Sequence, residues 1–287
     1  DELRAQGYKA FYIAIGCQGG RKAGIPGEDA EGVMTAVDFL RTVGADESYP
    51  VAGKAVVVGG GNVAIDVART AQRCGAGAVA MFCLEPRDKM PASEEEIAEA
   101  LEEDVTIDCG WGPKEILTEN GRVTGIVFKR CVSVWDKDGK FAPAYDENDT
   151  KTVPCDRVFL SIGQSILWGD LLKGSKVELG RGNGAVADSL TYQTAEPDIF
   201  VGGDVYTGPR FAIDAIEGAI SIHRFVQPHS SLTIGRNRRE FIALDKDNIK
   251  VEQYDNASRQ IPGTRKDVDH KKSFRDAKLP FTEEQVK

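Results

Sequence analysis

Along this chain the apolar positions alternate between short unbroken runs, a period near 3.6, and polar stretches broken by glycine and proline. Residues 9–15 (KAFYIAI) are an apolar run stopping at Gly16, which predicts a buried strand meeting a turn. GIPGED reads as a loop, and in GVMTAVDFLRTV the positions Val33, Val37, Leu40 and Val43 make a helical stripe. Residues 54–58 are a second apolar strand turned by glycines 59–61. Residues 62–73 follow as a helix with Val63, Ala64, Val67, Ala68 and Ala71 on one small-residue face. With a third strand over 78–84, the segment 54–84 is one βαβ unit. PASEEEIAEALEE predicts a helix capped by Ser93, with Glu96 completing a capping box and an acidic first turn suited to the helix dipole. Its glutamates read as a solvated face rather than as catalytic groups.

Two strands about Asn120-Gly121 predict a hairpin, with DKDGKFAPAYDENDT as a further arm or loop. VPCDRVFLSIG is a strand ending at Gly163, and AEPDIFVGGD is another ending in Gly202-Gly203-Asp204. GPRFAIDAIEGAISIHRFV is a helix expected to pack through Ala212, Ala215, Ile216 and Ala219. From Gln227 the chain turns charged with few apolar positions, which predicts an extended arm over the surface or onto a partner rather than a domain.

With 287 residues and 41% hydrophobic content, the chain has material for a large core or two domains. A net charge of −9 without a Lys/Arg run argues against a nucleic-acid surface. No apolar stretch approaches the ~18 residues of a membrane span, and DELRAQGYKA does not read as a signal peptide. None of the six cysteines forms a C-x-x-C, and with three histidines no zinc or iron–sulfur spacing emerges. Scattered reduced thiols of a cytoplasmic protein are the expectation.

The chemistry lies in the glycines. Gly59-x-Gly61-x-x-Ala64 follows a strand and opens a helix, the context a dinucleotide fingerprint requires. Gly59 would permit the tight turn, Gly61 a close backbone approach to a diphosphate, and Ala64 close helix–strand packing. Gly60, Asn62 and Val63 complete the candidate site, with the diphosphate on the N–H groups at the helix start. The residue at the end of the next strand selects the cofactor, an acid for the ribose of NAD and a base for the phosphate of NADP. Glu85 stands there and favours NAD(H); Arg87, two positions on, would serve NADP(H). A strand ending in Gly203-Asp204 ahead of a loop and helix would let a carboxylate reach a polyol chain.

The ordered segments IAIGCQGGRKAGIPGEDAEGV, GGGNVAIDVA, MPASEEE, DRVFLSIGQ and IFVGGDVYTGP resemble the two-dinucleotide-binding flavoprotein family. Within it the segments most resemble the glutamate synthase small-subunit (β-chain) type, shared with the flavin end of dihydropyrimidine dehydrogenase. The resemblance spans about residues 7–226. It implies an α/β fold in which a Rossmann-like NAD(P)-binding domain, three-layered in sheets and helices, is inserted into an FAD-binding domain. Residues 51–163 would form the insert, 1–50 with 164–226 a partial FAD domain, and 227–287 the arm. It also implies that Asp204, beside Gly203, bonds the FAD ribitol and that Gly16 and Gly163 end the crossover strands. Thr194 and residues 212–214, with Ala212 and Ile213, would sit near the flavin. Where NADPH-using members carry paired arginines before MPA, this chain has CLEPRDKMPA, which favours NADH.

The family's first FAD fingerprint is not in this sequence, so the chain is expected to be a fragment trimmed at both ends. Iron–sulfur clusters would lie outside it. The implied activity is hydride transfer from NAD(P)H to FAD, with electrons passed to iron–sulfur clusters or a partner subunit. A non-catalytic nucleotide-sensing or docking subunit is the alternative. A disulfide reductase would need the C-x-x-C that is missing. The pattern leaves the oligomeric state open.

Overall fold

The computed structural model describes residues 2–226 and 258–286, without the side chains of residues 221 and 224–226. In chain order it contains α1 (Glu2–Ala5), β1 (Phe11–Ile13), β2 (Gly19–Gly20), β3 (Val33–Thr35), α2 (Ala36–Ala45), β4 (Lys54–Val58), α3 (Asn62–Arg73), β5 (Ala78–Cys83), α4 (Glu94–Glu102), β6 (Thr106–Cys109), β7 (Trp111–Glu119), β8 (Arg122–Trp135), β9 (Phe141–Pro154), β10 (Arg157–Leu160), β11 (Gln164–Ser165), β12 (Ile199–Val201), α5 (Asp204–Thr207), α6 (Ala212–Val226) and α7 (Glu283–Val286). These fall into two compact units, Asp1–Gln18 with Ser165–Ile261, and Gly19–Gln164 with Pro262–Lys287.

The larger unit is built on a parallel sheet of order β3-β10-β4-β5-β6. Its inner strands β10, β4 and β5 read as nearly unbroken apolar runs because both faces are covered, whereas the edge strand β6 carries Thr106 and Asp108. On one face Ala55, Val57, Met81 and Phe159 share a core with α2, α3 and α4, where the Phe39 and Phe159 rings lie 4.1 Å apart. The alternate residues Val56, Val58, Phe82, Val158 and Leu160 pack on the antiparallel sheet β7-β8-β9, with Phe82 stacked on Phe128 at 4.2 Å. The period-2 alternation of each strand thus builds three layers: helices, parallel sheet, antiparallel sheet. The hairpin turns at Asn120 (φ 51°) and Gly121 (φ 80°), both left-handed as a two-residue hairpin loop requires. Ser93 Oγ accepts the Glu96 N–H at 3.3 Å, so α4 starts where its cap predicted.

The segment GVMTAVDFLRTV is not one helix. Its first residues are β3, Thr35 caps α2, and the buried positions are Ala36, Phe39 and Val43. Pairing with β10 holds Val33–Thr35 extended. The same pairing corrects the domain boundary: residues 19–50 belong to the unit of the parallel sheet rather than to the one containing β1 and β12. Of the predicted arm, residues 227–257 lie outside the described residues. The described part from 262 onward belongs to the larger unit, where Phe274 joins the helix-side core and the Arg73 guanidinium donates to the His270 carbonyl at 3.0 Å.

In the smaller unit β1 pairs in parallel with β12. β1 is shorter and more exposed than its apolar run suggested, with Tyr12 41% exposed, whereas β12 is fully buried. α6 packs through Ala215, Gly218 and Ile222; of the predicted face Ala215 is on the packed side, whereas Ala212, Ile216 and Ala219 are exposed. Gly218 faces Gly202, just after β12, where a Cβ on Gly218 would lie 3.7 Å from Gly202 Cα in ordinary contact.

Candidate functional site

The turn after β4 is shaped by three glycines under different constraints. Gly59 has φ 145°, donates its N–H to the Phe82 carbonyl at 2.8 Å, and could carry a Cβ only 2.3 Å from the Ser161 carbonyl oxygen. At Gly60 a Cβ would meet Cys83 Cβ at 2.8 Å and Glu85 Oε2 at 3.1 Å. Sequence reasoning named Gly60 without a reason; the reason is this contact with the next strand. Gly61 has ordinary extended dihedrals (φ −92°, ψ 175°) as the N-cap of α3, and a Cβ there would meet nothing within 4 Å. The chain itself therefore makes no use of its smallness.

That open space lies at the start of α3, where the Ala64 N–H turns back to the Gly61 carbonyl at 2.9 Å, the two N–H groups before it precede the helical ladder, and the dipole is positive. It is a place for an anionic oxygen cluster. Ala64 is fully buried and keeps α3 against the sheet, while Val63 is half-buried. The MPASEEE segment is bonded to the turn: the Ala92 N–H donates to the Gly60 carbonyl at 3.0 Å, and the Ser93 N–H to Asn62 Oδ1 at 2.9 Å. The Asn62 side chain thereby orders the loop over the turn, a role its position in the motif did not reveal.

Glu85 projects its carboxylate beside Gly60. Arg87 opens a short 3₁₀ turn and bonds the exposed Glu94 carboxylate at 3.3 Å. Arg87 also borders a cavity of about 500 Å³ with Lys89, Cys109, Arg130 and Trp135. Three sulfur atoms converge nearby: Cys83 Sγ lies 3.6 Å from Cys109 Sγ, which lies 3.8 Å from Met90 Sδ. Burial, reinforced by Cys109, pushes the Cys83 thiol up. No spacing in the sequence signals this cluster, because only the β5–β6 register makes partners of Cys83 and Cys109.

The smaller unit gathers a second set. Gly203 (φ 64°) caps α5, placing Asp204 at its first position. Asp204 Oδ2 would lie 3.8 Å from a Cβ on Gly16, and Oδ1 receives the Arg210 N–H at 3.4 Å. The ends of β1 and β12 thus bring Gly16 and Asp204 together. Thr194 is buried, and its hydroxyl is engaged inside its own turn, 3.0 Å from the Ile199 carbonyl and accepting the Glu196 N–H at 3.1 Å. Ala212 and Ile213 are exposed in the first turn of α6. Gly163 belongs to the larger unit, with φ 116° and its carbonyl accepting the Arg21 N–H at 3.1 Å. Among the described residues no helix is long and apolar enough to cross a membrane.

The family described as pyridine nucleotide-disulphide oxidoreductase matches residues 1–219. Similar proteins include the NADP(+)-dependent formate dehydrogenase subunit beta of Moorella thermoacetica, 33% identical over 79% of this chain and 33% of that one. The glutamate synthase [NADPH] small chain of Halomonas elongata is 30% identical over 73% of this chain and 47% of its own. The chain therefore spans less than half the length of either relative. Among solved structures, Mycobacterium tuberculosis FprA in complex with NADPH is alike in fold, with a TM-score of 0.61 at 19% identity over 78% of this chain and 65% of that one. The resemblance read from the motif order agrees with these matches: the chain belongs to the pyridine nucleotide-disulphide oxidoreductase family.

Proposed function

We propose that the chain carries the nicotinamide-nucleotide end of a flavoprotein oxidoreductase of the glutamate synthase small-subunit type. The larger unit holds NAD(P)H on the turn of Gly59, Gly60 and Gly61. The observation that carries this reading is the open space over Gly61 at the start of α3, room that packing does not need and a diphosphate does. Gly203 and Asp204, with Gly16 beside them, fit one part of an FAD site: a carboxylate at a strand end, within reach of a ribitol hydroxyl. When bound, the flavin accepts hydride and can release electrons singly. The protein's part is to bind and orient; hydride transfer requires no side-chain proton donor, and none is assigned. Onward transfer to iron–sulfur clusters or a partner subunit outside this chain accords with relatives that are themselves a subunit and a small chain. A reducing compartment such as the cytoplasm suits the six free cysteines.

Glu85 beside Gly60 would repel a 2′-phosphate, so NADH is the favoured donor. A second reading, NADPH, is favoured by Arg87, Lys89 and Arg130 around the neighbouring cavity. Calorimetric titration with NADH and NADPH separately tests both. NADH should bind about tenfold tighter, ~1.4 kcal/mol, and Glu85→Gln should narrow the gap. Tighter NADPH would transfer the assignment to the basic cavity; no binding of either would remove the nucleotide site altogether.

A further inference from the structure

We propose that Cys83, Cys109 and Met90 form a three-sulfur binding site for a soft monovalent d¹⁰ cation of the copper(I) class. The site stands independently of the nucleotide reading, because it rests on side chains that no step of that reading uses.

The placement follows from register. β5 and β6 run parallel with Ala80 opposite Thr106, Phe82 opposite Asp108, and Cys83 opposite Cys109 at their C-terminal ends. Directly paired residues point to one face of a sheet, so the two thiols meet, 3.6 Å apart. Met90, in the segment between β5 and α4, brings its thioether to 3.8 Å from Cys109 Sγ. A trigonal-planar set with metal–sulfur bonds of about 2.3 Å has sulfur–sulfur edges of about 4 Å. The two observed edges fall short of that by only a few tenths of an ångström. Two thiolates and a thioether are the donor set that soft copper(I) prefers. Among the described residues no group of three His, Cys, Asp or Glu side chains could hold a metal, so zinc finds no four-ligand set.

Access agrees with this. Cys83 is buried, but Cys109 is half-buried and borders the cavity of about 500 Å³, which offers an entry path. On binding, two S–H bonds break, their protons pass to solvent, and three metal–sulfur bonds form; no electron moves. A disulfide would require the sulfurs to close to about 2.05 Å and an oxidant to take two electrons; the cation requires neither.

The test is anaerobic titration of the fully reduced chain with copper(I) against a chromogenic copper(I) chelator, with X-ray absorption at the copper edge. The expected result is one cation per chain, three sulfur neighbours, and affinity that rises with pH as the displaced protons become easier to lose. Cys83→Ser and Cys109→Ser should each lower the affinity at least tenfold, while Cys74→Ser leaves it unchanged. Met90→Leu should keep the stoichiometry and reduce the sulfur neighbours from three to two. Circular dichroism of each variant separates loss of the site from loss of the fold; should a serine variant unfold, the sulfur count in the parent and in Met90→Leu still decides. Chelator competition unchanged by the serine variants, or oxygen and nitrogen neighbours in the parent, would overturn the proposal.

Discussion

Replacing Gly61 and Gly59 separately by alanine should separate binding from folding within a three-residue turn. Gly61 occupies extended dihedrals open to any residue, and a Cβ there meets nothing within 4 Å. Alanine gains from a less disordered unfolded chain and loses as a poorer N-cap, effects of opposite sign that leave stability within about 0.5 kcal/mol of the parent. The same methyl group fills the space proposed for a diphosphate, and affinity for NAD(P)H should fall about tenfold or more, at least ~1.4 kcal/mol. Gly59 behaves oppositely. Its φ of 145° strains any L side chain, and the added Cβ would sit 2.3 Å from the Ser161 carbonyl oxygen. Backbone strain of about 1–3 kcal/mol and overpacking of similar size together make a loss of about 3 kcal/mol or more. That corresponds to a melting point lower by roughly 6–12 °C. Thermal melts and calorimetric titration of both variants are the assay. The reasoning is refuted by a Gly61→Ala protein that binds nucleotide like the parent, or by a Gly59→Ala protein that melts with it.

Arg69→Ala should cost about 3 kcal/mol in urea unfolding, with an unchanged denaturant slope. Arg69 binds Glu103 at 2.7 Å and Glu99 at 2.6 Å, and its loss leaves the buried Glu103 carboxylate with Arg73 as its remaining ion-pair partner. Burial first, and Asp156 second, push the Cys155 thiol from 9.0 up to about 12. Because an unfolded thiol ionises near pH 8.5, its contribution is complete below that pH. Above it the unfolded chain releases the proton first, and stability drops by up to about 1.4 kcal/mol per pH unit until the folded thiol ionises. Cys155→Ala should flatten part of this alkaline slope in denaturant titrations; Cys74, Cys83 and Cys131, also pushed up by burial, keep a further part. Gly121→Val places a β-branched residue at φ 80° and should lower stability by about 1–2 kcal/mol, read as a lower urea midpoint.

Much of the larger unit was legible because its determinants are local. Gly59, Gly61 and Ala64 lie within six positions between two apolar runs; Asn120-Gly121 can adopt left-handed dihedrals in any context; Ser93 needs only the N–H three residues on. The rest depended on partners distant in the chain. Val33–Thr35 matches a helical stripe until β10, over a hundred residues later, pairs with it in parallel. The buried face of α6 was misread in part because an alanine stripe does not say which side of the helix the rest of the unit covers; that side runs through Ala215, Gly218 and Ile222.

The candidate site divides in the same way. By itself the sequence determined that a strand, a glycine turn and a helix N-terminus occur in that order, and hence that an anion can be held there, because backbone sterics and the helix dipole act over a few residues. Tertiary structure alone decided that Gly60 must be glycine, that Thr194 is spent within its own turn, and that three sulfurs from separate segments meet beside Glu85. Each of these follows from strand register and long-range packing, which position side chains to a fraction of an ångström and leave no trace in residue spacing.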